Sequence, residues 1–427
     1  MMKFTNRLIN KFSGRYVSSV DTTRKVNKKV LVVDTGIFLP IAIRFGIDGW
    51  DTHYYVDITE PYPLFTNYII GDGFKNITKE KSLNIKDYDL IIFPDVGQGT
   101  LVEQLRKEGN NVFGAGELEK LELNRKYAKE VMDEIGVKHP ESFFVKGKSG
   151  LLNFFKQNKG EYYIKINEFR GSVETFRVTN AEEIELMLND LGVKFGPYVN
   201  EIDFIIEKKE EGDELGTDIF YDGEKFLKPV GFNVEQKGNN LYKIVEDSIW
   251  ENTLEKFSPV LKKGNYRGIF CLESLYDGKD LYVLDITTRF CSPAFTLYSR
   301  YMKNFSEVVD SVARGKGISP EFDSKYYCEV RILSTESEDK WLVIDTQNIP
   351  FEVRKAVLYK DKIYVVPGER IVGTVFGEGD SYNKALDQAK QNTEKLDVLG
   401  KEFDSGIFDK FEKEYLKPLK EKYGIEF

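Results

Sequence analysis

The chain has 427 residues, too many for one ordinary core, so roughly two to four domains are expected. Its 61 Lys and Arg against 70 Asp and Glu leave a net charge of -9, which disfavours nucleic acid as the main partner. Cys271, Cys291, Cys328, His53 and His139 offer neither a disulfide framework nor the spacing of a structural zinc site, and no apolar run approaches the roughly 20 residues that span a bilayer.

The expectation is therefore a soluble, cytoplasmic protein without a membrane partner. Residues 1–20 contain no acid, and Lys3, Arg7, Lys11 and Arg15 recur every fourth position beside Phe4, Leu8 and Phe12. That pattern permits an organelle transit peptide or a surface-binding helix, while a solvated extension over residues 1–27 is the commoner cause. From residue 28 onward, short β-branched runs alternate with longer mixed segments, as in a sheet with crossover helices.

Lys29 to Asp34 predicts a buried strand, Thr35-Gly36 its turn, Pro40 a helix start, and Tyr88 to Phe93 a second strand of the same sheet. Loops beyond strand C-termini collect ligands in open parallel sheets, which makes Asp34-Thr35-Gly36 and Asp95 to Gly99 either substrate contacts or ordinary turns. A helix is predicted over Glu119 to Ile135, ended by Gly136. Further along come a strand at Tyr162 to Ile166, a helix over Asn180 to Leu191, a strand at Phe204 to Glu207 and a hairpin around Gly223. Gly, Pro and Ser gather between Lys316 and Ser324. The predicted units are residues 28–118, 119–320 and 325–427.

The most informative stretch runs from Gly268 to Pro293, where two β-rich runs flank Asp277-Gly278-Lys279-Asp280. A three-residue loop at 278–280 pairs 277 with 281, 275 with 283 and 273 with 285, setting Glu273 opposite Asp285. Two carboxylates about 5 Å apart repel by roughly 3 kcal/mol at an effective dielectric near 20, so a cation is expected between them. Asp285, Thr287 and Arg289 share a face by period-2 geometry. Two carboxylates, a hydroxyl and a guanidinium suit Mg2+, or Mn2+ in its place, held with nucleotide phosphates; Arg289 would support a transferred phosphate. The competing reading is a solvent-facing charged stripe.

Lys165 interrupts an apolar-aromatic strand and calls for an anion such as a nucleotide phosphate, or else snorkels to the surface. The loop Arg170-Gly171-Ser172 is short enough to close over phosphates. Glu207 and Glu214 stand around a charged loop, either as nucleoside contacts or as solvated charges.

The order of these pieces resembles the ATP-grasp superfamily and, within it, phosphoribosylamine-glycine ligase, over residues 28 to 415. The clearest segments are Tyr266-Arg267-Gly268-Ile269-Phe270 and Val283 to Pro293, where the family reads Val-Ile-Glu-Phe-Asn-Ala-Arg-Phe-Gly-Asp-Pro. Phe113-Gly114, the run Asn124 to Lys129, the stretch Ile206 to Glu214, and Gly368 to Gly373 are similar to further family segments in the same order. The resemblance implies an α/β (α+β multi-domain) ATP-grasp fold with a Rossmann-like N-terminal parallel-sheet domain and a small, strand-rich C-terminal domain. It further implies ATP and Mg2+ as cofactors, with Glu273, Asp285 and Thr287 on the metal and Arg125, Lys165, Gly171 and Ser172 around the phosphates. Glu207 and Glu214 would flank adenine and ribose, and Arg289 would be catalytic.

Two family segments are missing. The glycine-rich loop after the first strand is here Asp34 to Pro40, and Pro-Asn-Thr-Gly-Gly-Met-Gly has no counterpart in Glu235 to Glu246. The activity expected is therefore a carboxylate-amine ligase with small-molecule substrates different from glycine and phosphoribosylamine, acting as a monomer or homodimer. Phosphoribosylamine-glycine ligase itself and a non-catalytic nucleotide-binding protein are the alternatives.

Overall fold

The computed structural model describes residues 26–57, 68–168, 175–346 and 349–427. The basic segment at residues 1–20 and the loop Arg170-Gly171-Ser172 lie outside the described residues.

Apolar strands with short turns build the first unit, a parallel sheet in the spatial order Thr78–Lys79, Asp51–Val56, Lys29–Asp34, Leu90–Ile92, Val112–Phe113. Lys29–Asp34 is central and covered on both faces, which is why its text is continuously apolar. Val30 and Val32 pack into the core that holds Ile41 and Phe45 of helix Leu39–Ile47, whereas Leu31 and Val33 join Val102 and Leu105 of helix Gly99–Lys107. The second strand is shorter than the predicted Tyr88 to Phe93, covering Leu90–Ile92.

The predicted helix over 119–135 is broken. A 3-10 turn Gly116–Glu119 and helix Lys120–Leu123 precede helix Arg125–Ile135. At the break Asn124 is extended, with φ -133, and its side chain accepts a hydrogen bond from the Tyr127 backbone N at 2.9 Å, a helix cap. Gly136 closes the helix in the left-handed region at φ 69.

A second unit is an antiparallel sheet in the order Ser142–Lys146, Asp203–Lys208, Tyr162–Ile166, Thr175–Val178, with helices Gly147–Gln157 and Ala181–Phe195. It has its own core, including Leu151, Ile164, Leu188, Phe204 and Ile206.

The third and largest sheet has the order Leu281–Thr287, Gly268–Tyr276, Asp213–Tyr221, Phe226–Gln236, Asn239–Val245, Tyr326–Ser334, Ile371–Gly379, Phe351–Val353. Strand Tyr326–Ser334 pairs directly with Asn239–Val245, Asn240 standing opposite Glu329. The Gly/Pro/Ser-rich segment before residue 325 therefore connects strands of one sheet, and the apolar core runs on from Val30 to Phe427 without a gap there. Composition marked a loop at that point because a crossover and a linker need the same residues. Leu342–Ile344, Lys362–Val365 and Ala356–Tyr359 form a small separate sheet.

Glu273 does face Asp285, by a route different from the predicted one. Tyr276 pairs with Leu281 and Leu275 with Tyr282, so the loop holds the four residues Asp277 to Asp280, and a bulge at Leu284 restores the 273–285 pairing. Without the bulge, the four-residue loop would set residue 273 against residue 284 and turn the Asp285 side chain to the other face.

Candidate active site

Arg125 lies at the first turn of helix Arg125–Ile135, and Lys129 follows on the same side one turn later. Lys165 and Glu207 come from neighbouring strands of the four-stranded sheet of the second unit, and Asp285 from the edge strand of the large one. Lys165 Nζ lies 3.0 Å from Glu207 Oε2 and 3.0 Å from Asp285 Oδ2. Lys129 Nζ meets Glu207 Oε1 at 2.7 Å, and Arg125 Nε meets Asp285 Oδ1 at 3.3 Å.

Of the two readings of Lys165, the structure gives the anion-bound one: the side chain is only 5 % exposed and meets two carboxylates of the protein. Glu207, at 2 % exposed, presents no open carboxylate to a nucleoside, because Lys129 and Lys165 hold it. Three cations and two carboxylates leave these five side chains one formal positive charge in excess. Burial alone would raise the Asp285 carboxyl, but Lys165, Arg125 and Lys129 hold it down at about 2. Burial disfavours the Lys165 cation, yet Asp285 and Glu207 outweigh it and keep the lysine protonated. Asp285, with 34 % of its side chain open, is the solvent-facing end of the network.

The opposite wall is acidic. A row of paired residues crosses the large sheet from Asp285 through Glu273, Gly216 and Asn233 to Tyr242. Period 2 places Glu214 and Asp218 on the same face as Gly216, and Glu235 on the same face as Asn233. Apart from Asp285, these residues line a pocket of about 80 Å3 together with Thr287, Cys271 and Cys291. Gly216 makes the room: a Cβ there would lie 2.3 Å from Asn233 Oδ1. Burial, a hydrogen bond shared with Glu214, and the charges of Glu214, Asp285 and Glu235 push the Glu273 carboxyl well above its usual range. The expected cation between Glu273 and Asp285 is therefore one-sided: Lys165 and Arg125 bind Asp285, whereas Glu273 faces further acids.

Arg289 lies beyond the end of strand Leu281–Thr287 and turns toward the first unit. Its Nε meets Glu122 Oε1 at 3.0 Å and Asp95 Oδ1 at 3.3 Å. Asp95 also accepts from Thr35 Oγ1 at 3.0 Å, so both predicted ligand loops arrive beside Arg289. Of the two readings left open for Asp34, its carboxylate takes the structural one. It is 0 % exposed, and its carboxylate accepts the backbone N–H groups of Ile37 and Phe38 and the Tyr54 hydroxyl.

A wall with excess positive charge thus stands beside a wall of crowded carboxylates, with Asp285 at the seam between them. Similarity of the whole architecture to solved structures completes the picture. The phosphoribosylamine–glycine ligase of Thermotoga maritima matches with a TM-score of 0.64 at 20 % identity, covering 88 % of this chain and 98 % of that one. The biotin carboxylase domain of Hydrogenobacter thermophilus 2-oxoglutarate carboxylase, solved with MgADP, ADP and bicarbonate, matches at 0.63 and 15 % identity, covering 90 % and 95 %. Thermotoga maritima N5-carboxyaminoimidazole ribonucleotide synthetase matches at 0.62 and 13 % identity, covering 87 % and 99 %.

The chain has the ATP-grasp fold. No family model and no curated protein matches the sequence. Within this ATP-grasp fold, sequence reasoning missed Lys129, whose position among the apolar residues of an amphipathic helix was its one local signal, and Asp218, Asn233 and Glu235. The last three alternate with apolar residues on paired strands, a pattern that marks a polar sheet face but not a pocket.

Proposed function

We propose that this chain is an ATP- and Mg2+-dependent ligase that joins a carboxylate to an amine through an acyl phosphate. The observation that carries the reading is Asp285, held by Lys165 and Arg125 on one side and opposed by Glu273 on the other. Arg125, Lys129 and Lys165 would bind the phosphates, and Glu273, Asp285 and Thr287 would hold the metal, which when bound neutralises phosphate charge. Glu214, exposed at the pocket mouth, remains the candidate for a ribose contact. Glu207 would set the direction of the two lysines.

The carboxylate oxygen of the substrate attacks the γ-phosphorus as its bond to the ADP oxygen breaks; the amine nitrogen then attacks the acyl carbon, phosphate leaves, and the nitrogen loses a proton. Arg289, oriented by Glu122 and Asp95, would stabilise the acyl phosphate. A substrate other than phosphoribosylamine is supported by Asp34, whose carboxylate is spent on the backbone of its own turn at Ile37 and Phe38, a turn with Gly36 as its one glycine.

Isothermal titration of ATP with and without Mg2+ tests the assignment. Wild-type protein is expected to bind ATP in a Mg2+-dependent manner, and Asp285→Ala and Glu273→Gln are expected to lose that dependence while retaining wild-type circular dichroism. Absence of ATP binding to the wild type overturns the reading. Magnesium-dependent binding justifies a screen of carboxylates and amines for ADP release.

A further inference from the structure

Two of the three cysteines of this chain meet at the floor of the pocket. Cys271 lies directly across the ladder from Asp218, and Cys291 follows the edge strand after Arg289. A carboxylate oxygen of Asp218 and the sulfurs of Cys271 and Cys291 all lie within 4.8 Å of one another. A tetrahedral zinc ion with Zn–S of about 2.3 Å needs such donors roughly 3.6–3.8 Å apart, a small contraction.

We propose that Asp218, Cys271 and Cys291 form a three-ligand site for a thiophilic divalent cation of the zinc class, its fourth position open to the pocket. Several observations meet here. Asp218 is 4 % exposed and lies at the pocket floor, where its hydrogen-bond partners among the described residues are Asn233 Nδ2 at 3.2 Å, the Tyr298 hydroxyl at 3.4 Å, the Tyr242 hydroxyl and the two thiols, none of them a Lys or Arg. A buried carboxylate calls for a positive partner, and two sulfurs beside it choose a soft or borderline metal over Mg2+. All three ligands line the same cavity, so the site is open on one side, as in zinc centres that bind substrate or water rather than closed structural ones. Gly231 keeps the floor in shape, since a Cβ there would lie 2.6 Å from the Tyr298 hydroxyl.

Binding replaces two S–H protons by two metal–sulfur bonds and releases both protons, with no change of oxidation state. The site is separate in donor chemistry from the oxygen ligands Glu273 and Asp285, and it does not depend on the ligase reading. Cys328, on the opposite face of its strand from Glu329, belongs to neither.

Cobalt(II) titration of the full-length protein, kept reduced with a phosphine and supplied with excess Mg2+ but no nucleotide, tests the site. One equivalent is expected to give a thiolate-to-cobalt charge-transfer band that zinc abolishes. The band should be lost in Cys291→Ser and in Cys271→Ser and unchanged in Cys328→Ser. Oxygen donors alone cannot produce it, so cobalt at Glu273 and Asp285 does not mimic the result. Absence of the band in wild-type protein, or its persistence in Cys291→Ser, overturns the proposal. ATP titration on the same samples reads the ligase assignment independently.

Discussion

Replacing Lys165 by Met keeps most of its volume and deletes the charge that bridges Glu207 and Asp285. At 3.0 Å and an effective dielectric of 20, each of its two ion pairs is worth roughly 5 kcal/mol of gross Coulomb attraction. Repulsion from Lys129 and Arg125 and the desolvation of a buried ammonium, several kcal/mol per ion, offset much of that sum. What is measured on truncation is the cost of leaving carboxylates without their partner, about 3–5 kcal/mol for buried pairs. Lys165→Met is therefore expected to destabilise the protein by about that amount at pH 7, in urea unfolding followed by circular dichroism. Adding Glu207→Gln removes one anion as well and returns the cluster to two cations and one carboxylate, the original excess of one charge. The double variant is expected to be less destabilised than the sum of the singles by about 1 kcal/mol or more. Asp285, with an ordinary pKa of 3.8 lowered to about 2 in the fold, contributes stability above pH 4 that is lost as pH falls through about 2. A cost below about 1 kcal/mol for Lys165→Met, or strictly additive singles, would refute the picture of a charged, mutually dependent network.

Glu329 gives a second, pH-dependent test. Burial pushes its carboxyl up to about 8 from an ordinary 4.5, although Asn240 and Thr296 donate to it at 3.1 Å. A raised pKa means that its contribution is fully present below pH 4.5 and is lost as pH rises through 8. Glu329→Gln, which stays neutral, is thus expected to raise the thermal midpoint at pH 8.5 relative to wild type and to change it little at pH 4.5; an equal shift at both values would count against a buried acid. Gly216→Ala places a methyl group against Asn233 Oδ1 and narrows the pocket while sparing the Lys165 network. Substrate-dependent ADP release should fall at least about 10-fold in this variant, as expected when a substrate is displaced by about an ångström; unchanged ADP release would count against the pocket as part of the reaction site.

Several features of this site were legible in the residues because they depend on local periodicity. Two carboxylates near the middle of a hairpin, a lysine inside an apolar strand, and a glycine at the end of a helix each violate or complete a short-range rule. The run Val30 to Val33 announced a doubly covered strand, and the ordered segments from Tyr266 to Pro293 carried the resemblance to the ATP-grasp superfamily. What periodicity supplies is a face and not a neighbour. A four-residue turn and a bulge at Leu284 produced the same 273–285 pairing as a three-residue turn without one, and no local signal separates those routes.

The sequence by itself determined where the strongest strands and helices lie, such as Lys29–Asp34 and the Glu273/Asp285 hairpin, and which of their faces are polar, since these follow from backbone period and from the cost of burying charge. Tertiary structure alone decided the partners. Lys165 meets Glu207 through the pairing of strands in the second unit's four-stranded sheet and Asp285 through the approach of that sheet to the large one. Asp34 is spent on the turn before the helix that follows it, Arg289 is claimed by Asp95 of the first unit and by Glu122, and Cys271 and Asp218 on paired strands meet Cys291 from the segment after the edge strand. Charges and thiols act over a few ångströms, whereas the residues that supply them are separated by tens to more than a hundred positions; only packing brings them within that range.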